Sequence, residues 1–123
     1  EARQLVDLTV VSRRQQLGAE GEARVAAHYE ARGYAVLDRN WRCRDGELDL
    51  LLRAGRTLVV CEVKTRSSAA FGIPAEAVTA KKQAKLRLLA RRYLETAPFR
   101  PSTIRFDVAG VLAGEIEIIE NAF

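Results

Sequence analysis

The chain has 123 residues, 48% hydrophobic and 29% charged, with a formal net charge of +4 and a pI near 9.4. That length can bury one sizeable core, and the composition excludes a disordered chain. No apolar run approaches the roughly 20 residues that span a bilayer, so no membrane partner is expected.

Arg3, Asp7, Arg13 and Arg14 interrupt the apolar core that a secretory signal needs. Cys43 and Cys61 form no disulfide framework and, with a single His in the chain, no zinc pattern. Both are expected as reduced core thiols, and the protein as cytoplasmic. The positive charge is uneven: from Cys61 to Arg105 there are ten Lys or Arg against the acids Glu62, Glu76 and Glu95. That bias points toward a polyanionic partner.

Residues 1–13 form an N-terminal extension in which no chemistry is visible; residues 14–123 read as a single domain. A helix is predicted over 14–33, closed by Gly33. Gly18, Glu22, Val25 and Tyr29 share its apolar stripe, so Glu22 is either a rim residue or a carboxylate delivered to a site. Strands follow at 34–43, with a polar break at Asp38–Asn40, at 47–53 and at 56–65. Their short connections predict an antiparallel meander. In the second strand, period-two alternation puts Leu48, Leu50 and Leu52 on one face and Glu47, Asp49 and Leu51 on the other. A polar loop over 66–74 leads to a helix that is clearest at 79–96. Strands at 102–112 and 114–120 form a terminal hairpin. The order α-β-β-β-α-β-β describes an α/β sandwich of a mixed sheet and helices.

Three ionisable residues stand where strands usually keep packing residues. Glu62 and Lys64 are two apart and must point the same way, while Cys61, Val63 and Thr65 point the other way. Asp49 lies on the neighbouring strand. Two carboxylates with the Val63 backbone carbonyl suit Mg²⁺, which takes oxygen ligands and keeps water and substrate phosphate in its shell. Lys64 could orient a water or stabilise charge on a phosphate. Glu22 could hold a second metal or its water shell. The bland alternative is a structural ion pair of Lys64 with Glu62 or Asp49, an arrangement that stabilises a fold poorly.

Asp49, then twelve residues, then Glu62-Val63-Lys64 resembles the D-(x)n-E-x-K signature of restriction-endonuclease-like nucleases. The runs GAEGEARVAAHY, GYAVLDRNWRCRDGELDLL, LVVCEVKTR, FGIPAEAV and RFDV resemble, in order, the YraN-like bacterial family of predicted endonucleases. Glu22 is similar to the upstream helical Glu of archaeal Holliday junction resolvases. The resemblance implies a restriction-endonuclease-like mixed central β-sheet flanked by helices. It also implies a catalytic set of Glu22, Asp49, Glu62 and Lys64, with Mg²⁺ or Mn²⁺ at Asp49, Glu62 and Val63. Leu48 stands where the longer motif has proline. Glu47 is either an auxiliary ligand or a solvated strand-end residue, and Gln83 falls where related nucleases often have a polar site residue.

The expected substrate is structured DNA, including branched DNA, in repair or recombination. Arg42, Arg44, Arg66, Lys81, Lys82 and Lys85 are the candidate phosphate contacts, with a solvated face as the alternative for each. Phosphate contacts carry no base information, and no base-reading module is present. A homodimer or a partner protein is therefore a natural source of specificity. Two other functions fit the same chain: a non-catalytic nucleic-acid-binding or assembly module on a nuclease fold, and an RNA-processing nuclease.

Overall fold

The computed structural model describes residues 13–66 and 78–123, with side chains from Gln16 onward. The expected N-terminal extension, apart from Arg13, lies outside these residues. So do most of the 66–74 loop and residues 75–77, where the second helix is expected to begin.

Helix α1 (Arg13–Ala31) leads to three strands, β1 (Ala35–Cys43), β2 (Gly46–Ala54) and β3 (Thr57–Arg66). Helix α2 (Ala80–Leu94) then crosses to β4 (Thr103–Leu112), and β5 (Glu115–Ile119) ends the order. The five strands form one sheet in sequence order. Only the β3–β4 pair, the one joined through α2, is parallel. A parallel pair needs a long crossover, and α2 supplies it. This is the restriction-endonuclease-like arrangement that the sequence predicts.

Each helix covers one face of the sheet. Val25, Ala26 and Tyr29 of α1 pack on Leu50, Leu52, Val59, Cys61, Ala109 and Val111. Leu86, Leu89, Ala90 and Tyr93 of α2 pack on Leu48, Leu51, Leu58, Val60, Phe106 and Val108. Gly33 closes α1 with φ +91°, a left-handed conformation that an L side chain resists. Tyr34 N–H donates to the Tyr29 carbonyl and Gly33 N–H to that of Glu30, the paired bonds of a Schellman turn.

Two local irregularities depart from simple alternation. The polar break in β1 is a register shift between Val36 and Asp38, with the strand continuing beyond it. In β2, Leu48 does not share a face with Leu50 and Leu52. It lies with Leu51 on the α2 side, while Leu50 and Leu52 face α1. The phase of β2 thus reverses around Asp49.

Candidate functional site

That reversal coincides with a fork in the sheet. β2 and β3 are paired only as far as Leu50–Cys61, whereas β1 and β2 stay paired to Cys43–Gly46. Asp49 enters the gap, and its Oδ2 accepts a hydrogen bond from Val63 N–H at 2.9 Å. A side-chain carboxylate has taken the place of a ladder carbonyl. A strand residue turns its N–H and C=O to the same edge, so the Val63 carbonyl also faces the fork.

Glu62 is buried, with only 5% of its surface exposed. A carboxylate in that position is costly unless cations meet it. Two do, on the same oxygen: Lys64 Nζ lies 3.4 Å from Oε2 and Lys82 Nζ lies 3.3 Å from it. Lys64 comes from the same strand face, as alternation requires. Lys82 comes from the first turn of α2, where Thr79 caps the helix by accepting from Lys82 N–H at 3.2 Å.

The carboxylates strain against one another. Burial, followed by the charge of Glu62, pushes the Asp49 carboxyl up to about 7. A hydrogen bond to Glu62 and the charge of Glu22 add to the rise, and the Val63 N–H opposes it. Glu22 is also raised, first by burial, then by Glu47 and Glu62, with Arg39 opposing. Its Oε2 is buried and has no hydrogen-bond partner among the described residues. Glu22, Asp49, Glu62 and Lys64 therefore belong to one electrostatic neighbourhood.

The donor set is of the kind a hard cation uses: carboxylate and carbonyl oxygens. Among the described residues, no three His, Cys, Asp or Glu side chains form a group that could hold a metal ion. Mg²⁺ is suited to such an open set, because it binds one or two carboxylates and leaves the remaining positions to water and phosphate.

The other expected residues divide. Glu47 Oε2 is bound at 2.6 Å by Arg42, as suits a strand-end pair. Arg44 is exposed beside that strand end. Lys81 and Lys85 are exposed and, with Thr79, Lys82, Ala84 and Leu88, line a groove of about 520 Å³. Arg66 borders a different hollow, shared with Gly21 and Arg24 of α1. Gln83 donates its amide to the Val78 carbonyl, a bond local to the helix start.

Two features escaped the sequence. One is the reach of Lys82 to Glu62, signalled only by a first helical turn without an acid. The other is Asp107, fully buried in the RFDV run. It accepts from Tyr29 O–H (2.6 Å), Arg105 Nε and Nη2 (2.9 and 2.8 Å) and Asn121 N–H (3.0 Å). With every donor in place it is a structural clamp between α1, β4 and the chain after β5. Beside it, burial pushes the Cys61 thiol up to about 12, which makes it an inert core thiol.

No described helix is long and apolar enough to cross a membrane. Residues 21–111 match the Uncharacterised protein family UPF0102. A UPF0102 protein of Frankia alni is 58% identical over 92 residues, covering 75% of this chain and 77% of its own. One from Clavibacter michiganensis is 46% identical over 117 residues, covering 91% and 99%. Another, from Rhodococcus opacus, is 44% identical over 112 residues, covering 87% and 95%. The matched span holds the whole fork, with Glu22 and Lys82, and Asp107 with its donors Tyr29 and Arg105, and the chain belongs to family UPF0102, the YraN-like family its motifs resemble.

Proposed function

We propose that the protein is a metal-dependent nuclease that hydrolyses phosphodiester bonds of structured DNA, including branched DNA, in repair or recombination. The observation that carries this reading is the fork: Asp49 and Glu62 meet beside Lys64, where β2 parts from β3. Asp49, Glu62 and the Val63 carbonyl would hold Mg²⁺ or Mn²⁺, which supplies Lewis acidity toward a phosphoryl oxygen. Lys64 places an ammonium where charge develops on the phosphate and can orient the attacking water. Glu22, whose buried Oε2 has no partner among the described residues, would hold water on the α1 side of the fork. Lys81 and Lys85 face a groove that continues from Lys82, a route for the phosphate backbone.

One observation favours the non-catalytic reading. Glu62 is already neutralised by two lysines, as in a structural ion-pair cluster. Thermal unfolding with and without Mn²⁺ separates the two. The nuclease reading expects the midpoint to rise with Mn²⁺ according to its affinity, and the rise to vanish in Asp49→Ala and Glu62→Ala. No rise in the wild-type protein removes the metal site. Cleavage assays on branched DNA, single-stranded DNA and RNA, with Lys64→Ala as control, then identify the substrate.

A further inference from the structure

Lys82 occupies an unusual position. Its backbone is fixed by the Thr79 cap, yet its side chain is 40% exposed. It stands in the first turn of a helix with no acid there, where the positive end of the helix dipole disfavours an ammonium. Its compensation is Glu62, which already has Lys64 on the same oxygen. The same side chain also lines the groove with Lys81 and Lys85. Lys82 thus stands between the carboxylate fork and the charged groove and touches both.

We propose that Lys82 is a displaceable counter-ion. It covers Glu62 while the fork holds no divalent cation, and it turns into the groove to bind a nucleic-acid phosphate when the cation is present. The inference rests on the metal-dependent reading above. A divalent charge beside Glu62 repels both ammoniums at close range. Lys64 extends from the sheet and is 31% exposed, whereas Lys82 extends from a helix end, is 40% exposed and has an adjacent basic groove to enter. A purely structural lysine has no reason to couple the two sites.

Lys82→Met in the full chain tests this, since Met keeps the stem and favours the helix. Mn²⁺ affinity is measured by calorimetry. Binding of a labelled four-way DNA junction is measured by anisotropy, once in chelator and once in Ca²⁺. The variant is expected to bind Mn²⁺ about two- to fivefold more tightly, the scale of one half-exposed ion pair. It should lose DNA affinity several-fold in Ca²⁺ and not in chelator. Lys82→Arg should restore wild-type Mn²⁺ affinity. Lys81→Met should weaken DNA binding equally in both conditions and leave Mn²⁺ affinity unchanged.

Unchanged or weaker Mn²⁺ binding in Lys82→Met overturns the proposal, as does a DNA defect of equal size with and without the cation. If wild-type protein binds Mn²⁺ through Asp49 and Lys82→Met matches it, only the role of Lys82 falls. If wild-type protein binds no Mn²⁺, the metal-dependent reading falls and this inference with it.

Discussion

Asp49 is the residue whose environment says most. In the fold it keeps its proton to about 7, against an ordinary value of 3.8, because burial and then Glu62 disfavour its charge. A carboxyl raised in this way favours the fold below its unfolded value and loses that contribution as pH climbs through the folded one. Metal-free stability should therefore fall between about pH 4 and pH 7 through this group, and Glu22 contributes with the same sign. Asp49→Asn cannot ionise but can still accept from Val63 N–H. It should flatten that slope and raise metal-free stability above the folded value by about 1–2 kcal/mol, allowing for partial exposure. Urea unfolding in chelator at acid and alkaline pH checks this; identical slopes in both proteins would refute it. At this scale the sequence was legible where period two sufficed: Glu62 and Lys64 share a face because they are two apart. Lys82 was not, because its partner Glu62 stands on a strand and outside the helix whose periodicity places Lys82.

At the scale of elements, α1 approaches β3 closely because residue 21 has no side chain. A Cβ there would run into Thr65 Oγ1, which sits on a stiff, β-branched side chain. Gly21→Ala should cost about 1–3 kcal/mol, typical of forcing extra volume into a packed contact. It should also displace Glu22, its neighbour on α1. The double variant Gly21→Ala/Thr65→Ala should recover most of the loss in thermal unfolding; no recovery would place the strain elsewhere. Helix and strand order was readable from apolar periodicity and turn residues. The face of Leu48 was not, since alternation assumes an unbroken pleat and β2 reverses phase at the fork. Asp107 was hidden for a related reason: its donors Tyr29 and Asn121 stand 78 and 14 residues away, and no local pattern joins them.

Across the whole molecule, the basic half resolves into separate roles. Arg92 pairs with Asp45 and Glu95, Arg105 with Asp107, and Arg87 lies over the rings of Phe106 and Phe123. These cations hold the fold together. Lys81 and Lys85 stay exposed along the groove, where the proposed function has them meet phosphates. Replacing both with Ala should lower the slope of log affinity against log salt for duplex DNA by about 2, near 0.9 per contact. The change should be the same for unrelated sequences; a sequence-dependent loss would contradict a backbone-only role.

The bond from Val63 N–H to Asp49 has a spectroscopic consequence. Most strand amides bond to peptide carbonyls, whose charge is constant, but this proton faces a carboxylate whose charge changes. Its ¹H–¹⁵N resonance should move as Asp49 ionises, while neighbouring amides in the β3–β4 ladder stay nearly still. One backbone signal can thus serve as an internal gauge of the fork's protonation, without any attached label.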